Sequence, residues 1–184
     1  MDDRAYGEIK KEYDLFYNGL LRSGKLPMWG TQKGFWNASI TEEVYSAFKK
    51  ARLDKFSSFL DIGSGDGKIV LLASLFCRNA EGVEIDGFLH GIALRLQEKL
   101  GIKNAKFHNK DFFAHDFSKY DVLFLSPDAP MERGVEKKLL NEMRGRLIHY
   151  GNHFHPKLLK LESRFSVNNT LVGVYSNKKS ITNL

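Results

Sequence analysis

Three glycines alternate in Gly63-Ser64-Gly65-Asp66-Gly67, between the apolar run Phe59-Leu60-Asp61-Ile62 and Lys68, which opens a helical pattern. Glycines at that spacing let the backbone take left-handed dihedrals and let a ligand touch the main chain, next to the positive end of a helix. The sixth position, where a dinucleotide fingerprint needs Gly or Ala, is Lys68, so the spacing departs from that motif. Glu84 stands 17 positions after Gly67, at the end of the next apolar run and followed by Ile85. A carboxylate there can accept hydrogen bonds from both vicinal hydroxyls of a ribose. Asp111, with Phe112 and Phe113 beside it, follows a third run and suits an adenine, the acid taking the exocyclic amine. Ser126-Pro127-Asp128 follows a fourth. Asp128 is a candidate general base or acceptor-orienting group, with Ser126 beside it.

All these positions fall at the ends of strands. Short apolar runs over 56–62, 81–85, 105–110, 120–126 and 146–150 alternate with helical patterns over 68–77, 88–100 and 131–144. Repeated strand–helix–strand units imply parallel pairing with right-handed crossovers, an α/β fold with helices on both faces. Ligands in such sheets bind beyond the carboxyl ends of the strands, at the switch point. Two final runs, 159–167 and 170–176 around Asn168 and Asn169, resemble a hairpin. Upstream, Tyr6, Ile9, Tyr13, Phe16, Tyr17 and Leu20 recur at helical spacing. Gly24, Pro27, Gly30 and Gly34 punctuate a loop carrying Trp29, Phe35 and Trp36, and Thr41 caps a helix to about residue 52. The expected organisation is an aromatic helical extension over 1–40, a lid or substrate side, followed by one catalytic domain over 41–184.

With 184 residues, 42% hydrophobic and 27% charged, the chain suits one domain and leaves no room for a second substrate domain after a nucleotide-binding unit. The longest apolar run, 69–77, is too short to cross a bilayer. The opening residues lack the apolar stretch of a secretory signal. The single cysteine, Cys77, reads as a small buried hydrophobe, and a cytoplasmic setting is expected. Charge is uneven: residues 1–128 balance, while 129–184 hold ten basic against four acidic residues, a bias that attracts phosphates or acidic surfaces. His149, His153 and His155 share parity and could face one side of an extended segment, but a metal site needs more geometry than that. No metal is expected.

Leu60-Asp61-Ile62-Gly63-Ser64-Gly65-Asp66-Gly67, with Glu84 in Gly82-Val83-Glu84-Ile85-Asp86, resembles the first motifs of the class I S-adenosylmethionine-dependent methyltransferases over roughly residues 36–176. The resemblance implies a Rossmann-like, mostly parallel seven-stranded sheet with an antiparallel C-terminal hairpin. It implies S-adenosyl-L-methionine as cofactor and S-adenosyl-L-homocysteine as product. Asp61, Gly63 and Gly65 would lie near the methionine portion, Glu84 on the ribose and Asp111 with Phe112 around the adenine. Trp36, Ser39, Ser64, Gly67 and Ile85 would complete the cofactor set.

Within that class the chain is similar to small archaeal protein-lysine methyltransferases related to the Dot1 group. Those have an aromatic and a Thr upstream of the first motif, like Trp36 and Ser39, an acid–Phe–Phe motif like Asp111-Phe112-Phe113, and a His–x–Phe stretch like His153-Phe154. The departures are Trp36-Asn37-Ala38-Ser39 in the upstream motif and the aromatic N-terminal segment. The likeness implies a protein lysine as acceptor, with Trp36, Ser126, Asp128 and His153 on the acceptor side.

Bringing a lysine amine from a pKa near 10.4 to its neutral form at pH 7 costs about 4.6 kcal/mol. An apolar channel of Trp29, Phe35, Trp36, Phe112, Phe113 and residues 126–130 would lower that cost by desolvating the ammonium. Ser126-Pro127-Asp128-Ala129 matches only two positions of the Asn/Asp/Ser-Pro-Pro-Tyr/Phe stretch of nucleobase amino-methylating enzymes. RNA or DNA methylation, favoured by the basic C-terminal third, and a non-catalytic cofactor-binding or RNA-binding module remain alternatives.

Overall fold

The structure, a computed structural model, describes residues 3–31 and 33–177. Lys178 and Lys179 of the basic C-terminal third lie outside the described residues. Strands β3 (Ser58–Ile62), β4 (Asn79–Glu84), β5 (Ala105–Asn109), β6 (Val122–Leu125) and β7 (Arg146–Tyr150) are parallel. The antiparallel strands β8 (Lys160–Val167) and β9 (Thr170–Ser176) complete a seven-stranded sheet ordered β5-β4-β3-β6-β7-β9-β8. Strand order reverses between β3 and β6, so the cleft of such a sheet opens above their carboxyl ends.

The central strands are mostly apolar because both faces are covered. Phe59, Val122, Phe124 and Ile148 turn toward α1 (Asp3–Arg22), α2 (Thr41–Lys50), α3 (Lys68–Ala73) and α4 (Gly87–Leu100). Leu60, Ile62, Leu123 and Leu147 turn toward Phe117, Tyr120 and α5 (Val135–Glu142). The helices on both faces and the C-terminal hairpin are as expected. No helix among the described residues is long and apolar enough to cross a membrane.

Four local expectations are corrected. The loop carrying Trp29 and Trp36 is a β-hairpin, β1 (Met28–Gly30) with β2 (Phe35–Asn37), in which the two indoles face each other across the ladder. Thr41 does not cap α2. Ile40 occupies the cap position without a side-chain bond, while Thr41 is buried as the first helical residue. The helical pattern over 131–144 divides into a 3-10 turn (Met131–Arg133) and α5, because Gly134 takes φ 113°. The third helix stops at Ala73 rather than at 77.

The three C-terminal histidines do not share a face either. β7 ends at Tyr150, and Gly151 (φ 137°) and Phe154 (φ 55°) turn the chain. His149 and His155 pack ring to ring at 4.7 Å, while His153 goes to the cleft wall. His149 is wholly buried, with neither ring nitrogen hydrogen-bonded among the described residues. Burial, then the neighbouring His155, lowers its pKa to about 4.

A folded pKa below the unfolded value of about 6.5 gives stability that is complete above the unfolded pKa and is lost as pH falls toward the folded one. Between pH 7 and 5 this histidine should cost about 1 to 2 kcal/mol. The stability of wild type minus that of His149→Leu, taken from urea midpoints, should fall by that amount between pH 7 and 5. A gap independent of pH would refute it.

Candidate active site

The cleft is built on the turn after β3. Gly63 and Ser64 both donate their N–H to the Val83 carbonyl at 3.0 Å, which fixes the turn against β4. Gly63, Gly65 and Gly67 have φ of 75°, 52° and 82°, the left-handed region that glycine takes without strain. Their surroundings differ. A Cβ on Gly63 would meet nothing, whereas one on Gly65 would stand 2.5 Å from Cδ1 of Trp36. One on Gly67 would collide with Ala93 and Phe107, at 2.5 and 2.8 Å. Gly67 therefore does not line the cleft as expected. It allows α3 to pack against α4 and β5.

Glu84 ends β4 and closes the turn from the side. Its Oε2 accepts the Gly65 N–H and its Oε1 the Asp86 N–H, each at 2.8 Å. Both oxygens keep a lone pair for a ligand hydroxyl. Burial pushes the Glu84 carboxyl up, against those two bonds. Asp61, on β3, is 1% exposed, and its Oδ2 has no hydrogen-bond partner. Burial first, then the neighbouring Glu84 and Asp66 carboxylates, pushes it well above the usual range. An unpaired acceptor amid crowded carboxylates favours a ligand that brings positive charge and N–H or O–H donors.

The cavity beyond has a volume of about 820 Å³. Trp36, Ser39, Asp61, Gly63, Ser64, Gly65, Glu84, Ile85, Asp111, Phe112, Ser126, Asp128 and His153 all line it, as do Phe35 and Phe113. Trp29 stands outside, against the Trp36 indole at 4.2 Å and near Phe88 at 6.0 Å. The β1–β2 hairpin lies across the mouth as a strap, fastened to both walls. Lys33 Nζ donates to Asp111 Oδ2 at 2.6 Å, and the Phe35 N–H donates to Asp128 Oδ2 at 2.5 Å. The Lys33 ammonium, then the Phe113 N–H, hold the Asp111 carboxyl below its usual range. An adenine amine would share Asp111 with Lys33, and one of the two carboxylate oxygens of Asp128, the candidate base or acceptor-orienting group, is taken by the strap.

Sequence reasoning missed the support beneath the turn. Lys68, 2% exposed, donates from Nζ to the Ser39 carbonyl and lies over the Tyr17 ring at 4.6 Å. Tyr17 donates its hydroxyl to Asp66 Oδ2 at 2.5 Å, and Tyr13 donates to the Asp66 carbonyl at 2.9 Å. Burial pushes the Asp66 carboxyl up and the Lys68 ammonium down, and their mutual attraction opposes both shifts. The aromatic stripe of α1 signalled an inward face. Nothing in its period signalled two hydroxyls bonded to the glycine turn.

Glu43, Tyr150 and Thr170 on the cavity wall were missed as well. Behind the sheet, Glu81, His108 and His115 place possible metal-ligand atoms within 4.8 Å of one another. They are already joined through hydrogen bonds among Glu81, His108, Tyr120 and His115 at 2.6–2.8 Å.

No family model matches the chain. A human lysine N-methyltransferase named for an ATP synthase component is 31% identical over 104 residues, 56% of this chain and 44% of that protein. The chain thus spans less than half the length of that curated relative. An RNA methyltransferase from Salinibacter ruber, solved with S-adenosyl-L-homocysteine, superposes with TM-score 0.67 at 20% identity, over 80% of this chain and 98% of that one.

The fold is that of the class I methyltransferases. Two further members of the class I fold show how widely it is shared. The Pyrococcus abyssi tRNA (uracil-54, C5)-methyltransferase superposes with TM-score 0.62 at 17% identity, over 78% of this chain and 40% of that one. The N-methyltransferase NodS from Bradyrhizobium japonicum WM9 gives 0.58 at 12%, over 72% and 93%. In class I terms, the cleft opens where β3 and β6 diverge, beside the turn that Glu84 closes.

Proposed function

We propose that the protein is an S-adenosylmethionine-dependent methyltransferase whose acceptor is a protein lysine. The observation that carries the cofactor reading is the pairing of the Glu84-braced glycine turn with the buried, unpartnered Asp61 Oδ2. That set of acceptors fits an adenosyl amino acid. Glu84 would take the ribose hydroxyls, Asp61 and the open face of Gly63 the ammonium end, and Asp111 with Phe112 the adenine. When bound, the sulfonium supplies a methyl group carrying a neutral leaving group. What remains for the protein is alignment and exclusion of water. Trp36, Phe35 and Phe112 wall the approach with apolar surface, which favours a neutral amine over an ammonium. The amine lone pair forms the N–C bond as the S–C electrons return to sulfur, the amine proton having been lost to water beforehand.

The lysine acceptor is supported by the curated relative, named for lysine N-methylation. RNA as acceptor is supported by the Salinibacter ruber and Pyrococcus abyssi structures and by the basic C-terminal third. Incubation with methyl-labelled cofactor and whole-cell extract separates the two: trypsin-sensitive label supports lysine, and nuclease-sensitive label overturns it in favour of RNA or DNA. Binding without label would leave a cofactor-binding module. Glu84→Ala removes two charge-assisted bonds within the turn along with the ribose acceptor. It should weaken S-adenosyl-L-homocysteine binding by at least about 1.5 kcal/mol in a calorimetric titration. Unchanged affinity would take Glu84 out of the site.

A further inference from the structure

Glu81 on β4 and His108 on β5 meet His115 and Tyr120 from the connection between β5 and β6. None of the four lines the cleft. His108 Nε2 donates to Glu81 Oε2 at 2.6 Å, and the Tyr120 hydroxyl donates to the same oxygen at 2.8 Å. Tyr120 has one hydroxyl hydrogen, so His115 Nε2, 2.7 Å from the phenol oxygen, must donate to it. The other His115 nitrogen, Nδ1, is then a bare lone pair. It is buried, on a residue 2% exposed, and has no partner among the described residues. Hydrogen bonds alone leave the cluster incomplete, and a buried acceptor without a partner is costly.

We propose that this cluster is a zinc site, with Glu81, His108 and one ring nitrogen of His115 as protein ligands and water in the fourth position. Two imidazoles and a carboxylate are a donor set that zinc takes. The three residues offer ligand atoms that all lie within 4.8 Å of one another. Atoms about 2.0–2.1 Å from a tetrahedral zinc stand about 3.3 Å apart, so the His108–Glu81 pair opens and His115 closes in by side-chain rotation. On binding, His108 carries its proton on Nδ1 and presents the Nε2 lone pair, and Glu81 binds as the carboxylate. Tyr120 keeps its bond to Glu81 and orients that ligand from outside. The His108 and Glu81 side chains are 19% and 21% exposed, which leaves the ion a path from solvent. The task is structural. Residues 110–121 hold only the 3-10 turn Phe112–Ala114 where a crossover helix would be expected, and they begin at Asp111 and Phe112 on the cleft wall. An ion bound at His115 fastens this connection to β4 and β5.

The test uses the untagged full chain, stripped with a chelator and free of cofactor, so its outcome does not depend on the methyltransferase reading. In a calorimetric titration zinc should bind with one equivalent, and cobalt(II) in its place should give the strong visible absorption of a tetrahedral site. Zinc at about a hundredfold excess over its Kd should raise the melting temperature by about 5 °C or more. His108→Ala and Glu81→Gln, both at partly exposed positions, should each weaken zinc at least about tenfold and abolish the cobalt band, with circular dichroism like that of wild type. The X-ray absorption spectrum of the zinc-loaded wild type needs no variant to fold, and should show four nitrogen or oxygen ligands, two of them imidazole. A cluster held by hydrogen bonds alone would give neither zinc heat nor a cobalt band, and that result overturns the proposal. So does one equivalent of zinc retained in both variants, which would put the ion elsewhere, or a zinc shell with sulfur or with any other number of imidazoles.

Discussion

Gly65→Ala is expected to abolish cofactor binding while leaving the sheet folded. The added methyl would stand 2.5 Å from Cδ1 and 2.6 Å from Nε1 of Trp36, and the backbone there holds φ 52°. Left-handed backbone costs a non-glycine residue about 1 to 2 kcal/mol, and forcing an atom into a packed contact adds about 1 to 3. Trp36 cannot yield freely, because Trp29 packs against it with ring centroids 4.2 Å apart and Tyr17 stands 6.5 Å away. The turn must then shift, and with it the Gly65 N–H that holds Glu84. Loss of the binding isotherm with a far-ultraviolet circular dichroism spectrum like that of wild type is the expected pair of results. Wild-type affinity would show that Trp36 is free to move and that the indole does not brace the turn.

Removing the buried cation beneath that turn should damage stability more. Lys68→Met keeps the length of the side chain and deletes the ammonium that faces Asp66, Tyr17 and the Ser39 carbonyl. Breaking a buried pair by removing one partner leaves an uncompensated charge and costs about 3 to 5 kcal/mol. In a chain of this length that is a fall in melting temperature of about 10 °C. Asp66→Asn in the Lys68→Met background should return part of the loss, since the orphaned charge is then gone. A single variant that melts with wild type would mean that Asp66 is already protonated in the folded protein.

The strands were readable because a parallel sheet covered on both faces turns each strand into an apolar run, and Phe59–Ile62 and Val122–Leu125 are such runs. The glycine turn and Glu84 were readable for a similar reason: the chemistry demands particular residue types at the ends of those runs. Gly67 shares the spacing of Gly63 and Gly65 but serves helix packing, a distinction that depends on Ala93 and Phe107, 26 and 40 positions later. Lys68 and Glu43 were illegible because charge normally marks a solvent face. Their burial follows from partners that reach them only after folding, among them Tyr17 for Lys68 and Thr170 for Glu43. The β1–β2 hairpin was hidden by its three-residue strands and by an intervening stretch whose Gly34 and Lys33 read as loop.

Tyr13 and Tyr17 reach the Asp66 turn across 53 and 49 positions of sequence. During synthesis, then, α1 leaves the ribosome well ahead of everything it clasps. Its inward hydroxyls can be satisfied only by water until the strand and turn that accept them have emerged. The nascent helix must wait, and the ligand-holding loop matures only when that early-made segment swings back onto it.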